Sequence, residues 1–193
     1  ITVTAVRNTI QAQTVAHRMV DDGIGYIAVS EFDLVTYDQY KQALEELESQ
    51  GMRSLVVDLR NNPGGNYDTV CDILDLMLPK GLIVYTKDKA GNKDEKFSDD
   101  EHQFELPLVV MMNGNSASAS EIYAGAIQDY GIGTIVGTQS YGKGVVQQIF
   151  DLKDGTSVKL TIAEYFTAKG RNIHGKGITP DVEVEYEENK EKP

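Results

Sequence analysis

The residues best suited to chemistry lie in three glycine-containing turns, Asn61 to Gly65, Asn113 to Ser120 and Gly137 to Gly144. Each follows an apolar run that reads as a buried strand, and in α/β folds sites gather at the carboxyl ends of such strands. The middle turn carries Asn115-Ser116-Ala117-Ser118-Ala119-Ser120-Glu121 between a predicted strand and a predicted helix. A serine there sits at a helix N-terminus, where unpaired N–H groups and the dipole favour negative charge. The oxyanion of an acyl transfer would be stabilised in such a place. The same serines would serve equally well as helix caps without any chemistry.

A reactive serine needs a base. Of the three histidines, His17 precedes the first clear strand, His102 lies in a charged excursion and His174 in a late glycine-rich loop. None sits in a turn with obvious partners, and no pair of them has metal-ligand spacing. A Ser-His-Asp triad is therefore unsupported, though open. Lysine is the other known base, because a partly desolvated amine can accept the serine proton. Lys143, between Gly142 and Gly144, is the natural candidate, since flanking glycines let the backbone pass close to other groups. The run Gly137-Thr138-Gln139-Ser140-Tyr141-Gly142-Lys143-Gly144 nearly matches a phosphate-binding loop. It lacks the final hydroxyl residue that would hold magnesium, and Val145 to Phe150 reads as strand where that motif requires a helix.

The elements that must position these turns alternate in type. Ile24 to Phe32 reads as a strand. Thr36-Tyr37-Asp38-Gln39 has capping-box spacing, and Tyr37, Tyr40, Leu44 and Leu47 recur at helical spacing up to Gly51. Ser54 to Leu59 is a short buried strand. A second helix is predicted over about Asp68 to Leu78, closed by Pro79. Thr86 to Glu105 is a charged hairpin or exposed excursion, and Leu106 to Met112 another buried strand. A third helix is predicted over Ala119 to Tyr130 with Gly131 as its stop, then a strand at Thr134 to Val136. Asp154-Gly155 between two strand-like runs predicts a hairpin. The alternation predicts an α/β layered fold.

The chain of 193 residues is long enough for one domain with a sizeable core. Its net charge of -12 disfavours nucleic acid, which needs a basic surface, and gives no attraction to anionic lipid. The single cysteine, Cys71, permits no internal disulfide. Set among Val70, Ile73 and Leu74, it reads as a core residue. No apolar run reaches the ~18 residues of a membrane span and no export signal is visible. The start at Ile1, inside a strand-like run, reads as a cut from something longer.

Taken together, these stretches resemble the carboxyl-terminal processing peptidases, or tail-specific proteases, of peptidase family S41. The resemblance is carried by Gly25-Tyr26-Ile27, Asp58-Leu59-Arg60-Asn61-Asn62-Pro63-Gly64-Gly65, Asn115 through Glu121, Asp129-Tyr130-Gly131, Val136-Gly137, Gly142-Lys143-Gly144 with Gln147, and Gly175-Lys176-Gly177-Ile178-Thr179-Pro180-Asp181. It covers about Ile24 to Val184, and the stretches occur in the family's order. It implies a ClpP/crotonase-like α/β core of ββα units with a β-hairpin near the C-terminus. Carried over by position, Ser118 is the nucleophile and Lys143 the base, and Gln147 orients the lysine. The oxyanion hole comes from the backbone N–H groups of Gly64 and Ala119. Asp58, Arg60, Asn61 and Asn62 hold the turn that presents Gly64. No metal or cofactor is implied.

The resemblance divides the chain into the end of a PDZ region and a link into the core (residues 1–20), the peptidase core (21–184) and an acidic tail (185–193). Family members usually carry a PDZ domain and N-terminal helices before this core. The PDZ domain captures the substrate's carboxyl terminus, and neither element is present in these residues. The implied partners are protein or peptide C-termini, not nucleic acid, and a homo-oligomer stays open. The implied compartment is outside the cytoplasm, in the periplasm or at the cell surface, with a membrane anchor in the full-length protein left open. A peptide-binding module without turnover, adding a substrate strand on the same fold, is the alternative reading.

Overall fold

A computed structural model describes residues 11–21, 23–99 and 101–185. The element order is β1 (Val15–Asp21), β2 (Ile24–Val29), α1 (Thr36–Ser49), β3 (Ser54–Asp58), α2 (Tyr67–Asp75), β4 (Gly81–Asp88), β5 (Lys93–Ser98), β6 (Leu108–Met112), α3 (Ala119–Tyr130), β7 (Thr134–Gly137), β8 (Val145–Asp151), β9 (Ser157–Thr167) and β10 (Val182–Glu183). Two sheets result. One has six strands in the order β1-β2-β3-β6-β7-β10, and the other four in the order β5-β4-β9-β8. In the first, β2, β3, β6, β7 and β10 run parallel and β1 is antiparallel to β2. The second is antiparallel throughout. Short apolar runs such as Leu108–Met112 suit strands of a parallel sheet, whose crossover helices cover it.

The helices pack in a row, α1 on α2 and α2 on α3. Tyr40 of α1 and Tyr123 of α3 meet inside this layer, their hydroxyls 2.8 Å apart. Burial pushes both phenols above their ordinary range, so the pair is a neutral hydrogen bond in the core. The second sheet leans on α2. Tyr165 of β9 stacks on Tyr67, and Lys96 of β5 pairs with Asp68 at 2.8 Å. Cys71 is buried, with its thiol pushed up to about 12 chiefly by that burial, as expected of a core residue.

The sequence expectations hold in most places. Helix α3 has the predicted bounds, β4 and β5 form a hairpin in the charged excursion, and β8 and β9 form the hairpin around Asp154-Gly155. The capping box at Thr36 does not form. The helix is capped by Val35 without a side-chain bond, and the Gln39 side chain accepts instead from the amides of Thr14 and Val15. Those two backbone donors, distant in sequence, compete successfully for the carboxamide. They also fasten β1, which falls in the stretch read as a link into the core, onto α1. Residues 1–10 of the stretch read as the end of a PDZ region and a link into the core, and all but Glu185 of the acidic tail, lie outside the described residues.

Candidate active site

Ser118 is the N-cap of α3, with φ 56° and ψ -113°. Only one other non-glycine among the described residues has a positive φ, Asn61 at 61°, a residue type that tolerates that region. Serine there is strained, and strained backbone persists only when its surroundings over-determine it. The surroundings do so. Ser116 Oγ donates to Leu59 O at 2.7 Å and Ser120 Oγ to Asn62 O at 3.0 Å. The Ala117 amide also donates to Asn62 O. The serines on either side of Ser118 thus serve structure, clamping the Ser118 turn to the first glycine turn.

Glu121 fixes the remaining side. It is fully buried, and its carboxylate accepts four hydrogen bonds. Oε2 takes the amides of Ser118 and Lys143, each at 2.8 Å. Oε1 takes the Ser140 hydroxyl and the Gly142 amide. The two loops that carry Ser118 and Lys143 are therefore joined through one side chain. No direct hydrogen bond links the Ser118 hydroxyl to the Lys143 amine in this state. Sequence reading placed Glu121 inside the motif and gave it no role. The spacing Ser118-x-x-Glu121 is that of a capping box and could have shown it.

The lysine loop is backed by the Gly175–Asp181 stretch. Gly142 has φ 88°, and a Cβ at Gly144 would lie 2.3 Å from the His174 amide nitrogen. Gly175 N–H donates to Gly142 O, and Ile178 N–H to Ser140 Oγ. Asp181 in turn accepts from the Ile135 amide and from Gln128. So the glycines beside Lys143 do permit close passage, and the late motif serves as its buttress. Lys143 is half-buried, Gln147 is exposed near the start of β8, and the chain after Lys143 is strand, which removes the phosphate-loop reading.

Gly64, φ 100°, presses on the Ser118 turn. A Cβ there would lie 2.6 Å from Ala117 O, 2.7 Å from Ser118 Cβ and 2.9 Å from Ala119 N. This brings Gly64 and Ala119 together. The Ala119 amide is at the first helical position, where N–H groups lack intrahelical partners. The Gly64 amide, however, donates to Asn62 Oδ1 at 2.9 Å. Asn62 is fully buried and its Nδ2 donates to Val29 O.

Asp58 and Arg60 brace the same turn. Arg60 donates to the Asp58 carboxylate from its side chain, at 2.7 Å for the closest contact, and from its backbone N–H, and the Tyr26 hydroxyl adds a bond at 2.7 Å. Burial works to raise the Asp58 carboxyl, but these bonds and the Arg60 charge outweigh it and hold the carboxyl below its usual range. A cleft of about 740 Å³ opens at the carboxyl ends of β3, β6 and β7, lined by Asp58, Arg60, Asn61, Asn113 and Gly137 among others. It borders the Ser118 turn at Asn113 without including Ser118 or Lys143.

Among the described residues, no hydrogen bond links Ser118 to any of the three histidines. His17 pairs with Glu46 of α1 at 2.8 Å, His102 is exposed, and His174 is exposed with its backbone against Gly144.

Comparison with known proteins gives the family of the chain. The chain matches the sequence profile of Peptidase family S41 over residues 23–184. It is 41% identical over 186 residues to a carboxyl-terminal-processing protease of Synechocystis sp., covering 94% of this chain and 44% of that protein. It is 37% identical over 180 residues to the carboxy-terminal processing protease CtpA of Bacillus subtilis, covering 93% and 39%. Among solved structures, a photosystem II D1 C-terminal processing protease superposes with a TM-score of 0.83 at 33% identity, covering 91% of this chain and 49% of that one. The chain thus spans less than half the length of these relatives, and over the span matched its mixed α/β fold is that of the solved protease. It belongs to peptidase family S41.

Proposed function

We propose that this chain is the catalytic core of a serine peptidase that cleaves protein substrates near their carboxyl end, on a ClpP/crotonase-like α/β core. The observation that carries the reading is the shared grip of Glu121 on Ser118 and Lys143, beside a strained serine at a helix start. In the proposed mechanism neutral Lys143 takes the Ser118 hydroxyl proton as the oxygen attacks a peptide carbonyl. The carbon–nitrogen bond breaks, and the ammonium returns the proton to the leaving amine. Water then attacks the acyl-enzyme, giving a proton to Lys143; the bond from the acyl carbon to Ser118 Oγ breaks, the ammonium returns that proton to Ser118 Oγ, and the carboxylic acid leaves. Gln147 orients the amine. The amides of Ala119 and Gly64 stabilise the oxyanion. For Gly64 this requires Asn62 Oδ1 to give way, which a charged oxygen can bring about because it is a stronger acceptor than a neutral carboxamide.

The test is a serine-acylating probe applied to the intact protein, read by peptide mass spectrometry, together with cleavage assays of three variants. Labelling at Ser118, and loss of cleavage in Ser118→Ala with the fold retained, support the reading. Ser116→Ala and Ser120→Ala should keep part of the activity. Cleavage by Ser118→Ala at the parent rate refutes the assignment. A protein that binds peptides at this site but neither reacts nor cleaves is the binding module instead.

A further inference from the structure

The four-stranded sheet has two edges of opposite character. At one, β5 reads Lys93-Asp94-Glu95-Lys96-Phe97-Ser98, with charge at four consecutive positions. Such charges are how proteins discourage another strand from adding. At the other, β8 reads Val145-Val146-Gln147-Gln148-Ile149-Phe150-Asp151, uncharged until its last residue and free of proline and glycine. Among the described residues its only hydrogen-bonded neighbour strand is β9. Ile149 is 63% exposed and Phe150 40%.

The direction of the free groups can be read from the strand ends. Gly144 O accepts from the Tyr165 amide, and the Leu152 amide donates to Thr156 O, so both residues face β9. In an antiparallel ladder a residue's N–H and C=O point the same way and alternate along the strand. Even-numbered residues of β8 therefore bond β9. Val145, Gln147, Ile149 and Asp151 present their backbone groups outward. The register irregularity between Val146 and Gln147 leaves this alternation intact, because its extra residue, Ile162, lies on β9. This open ladder begins two residues after Lys143.

We propose that the free edge of β8 binds the substrate backbone: an extended peptide segment adds as a further strand, bonded to Val145, Gln147 and Ile149, and runs into the site at Ser118 and Lys143. This rests on the catalytic reading above and names how that site would hold its substrate. Strand addition takes affinity from main-chain bonds and selectivity from alternate side chains. Ile149 and Phe150 project to opposite faces, so apolar residues on the incoming strand would gain contact on both. The occupant is a substrate segment and not a second copy because the ladder is continuous with the lysine loop.

The experiment uses the intact protein and a cleavable peptide with N-methyl groups placed one residue at a time along it. Ile149→Pro removes an outward N–H, and Ile149→Ala is the side-chain control that keeps it. Gln148→Pro removes a bond to β9 and should lower the melting temperature, confirming the direction of the ladder. Expected are losses of about tenfold in kcat/KM at every second N-methyl position on one side of the scissile bond, as one bond is lost each time. Ile149→Pro should show a similar loss against Ile149→Ala, with labelling of Ser118 by a small acylating probe unchanged. The N-methyl series needs no protein variant and decides the matter even if Ile149→Pro misfolds. Equal cleavage along the whole N-methyl series overturns the proposal. So does a dimer that Ile149→Pro dissociates without any change in kcat/KM, which assigns the edge to a second copy. Failure of the probe to label the parent speaks against Ser118 instead, and leaves the alternation to be read in peptide binding.

Discussion

The backbone N–H groups of Ser118 and Lys143 donate to the same atom, Glu121 Oε2, each at 2.8 Å. The two residues are 25 positions apart in the chain, and a buried carboxylate sets their separation. Glutamine at 121 keeps the volume but replaces one acceptor oxygen by an NH2 donor. Whichever way it turns, two of the four donors lose their acceptor. Each buried donor left unpaired costs about 1–3 kcal/mol. Glu121→Gln should therefore lower stability by about 2–6 kcal/mol and cut turnover more than a hundredfold. Denaturant melts and peptide hydrolysis check both, and parent-like values of the two would show that the grip on Ser118 and Lys143 is unimportant.

Gly64 tests the contact between the first two turns. Alanine there must accept φ near 100°, which side chains rarely adopt, and place its Cβ within 3 Å of three atoms, two of them backbone. Gly64→Ala should move the Ser118 turn and abolish cleavage, at a stability cost of about 2–4 kcal/mol. Hydrolysis and thermal melts of Gly64→Ala measure it. Gly51→Ala is the control, because its Cβ meets nothing within 4 Å although φ is 83°. It should lose only the backbone term, about 1 kcal/mol, and stay active.

Asp58 gives a pH dependence. Its folded-state carboxyl is held below the ordinary 3.8, against the pull of burial, by its bonds from Arg60 and Tyr26. The folded protein therefore binds that proton more weakly than the unfolded chain does. Stability from this group is complete above the ordinary aspartate range and disappears as pH falls through the lower folded value. Asp58→Asn should cost about 1–2 kcal/mol at neutral pH, screening at the half-exposed Arg60 keeping it below the range of a fully buried pair. It should also flatten the acid limb of the stability profile. Urea melts of parent and variant from pH 7 to below pH 3 decide it, and parallel acid limbs would rule the contribution out.

Local patterns carried much of this far. The bounds of α3 follow from a serine-rich turn, helical spacing and Gly131, which caps it in the left-handed region at φ 69°. The apolar runs gave β3 and β6 because a parallel sheet buries short continuous stretches. What the residues hid depends on partners far along the chain. Gln39 left its expected cap for Thr14 and Val15. Glu121 looks like one acidic residue of a helix start until Gly142 and Lys143 arrive beside it. The Asn62 side chain occupies the Gly64 amide. The edge character of β8 needed the strand order, which no periodicity reports.

Lysine at 143 separates a base from a charge. Arginine keeps the positive charge and most of the length, and it stays protonated at any working pH. If Lys143 only steadied the oxyanion, Lys143→Arg would keep part of the rate that Lys143→Ala loses. The base role predicts that both fail alike, by about a thousandfold or more. It also predicts that parent turnover rises with pH, since only the neutral amine accepts the Ser118 proton. Gln147→Ala should be milder, because it loosens the amine without removing it. Neither change reaches Glu121, which holds residue 143 by its backbone N–H, so the loop and its folding should survive both substitutions at 143. One peptide, hydrolysed by the parent and all three variants over a pH series, makes the measurement. Substantial turnover by Lys143→Arg would end the general-base assignment and leave Lys143 an electrostatic residue.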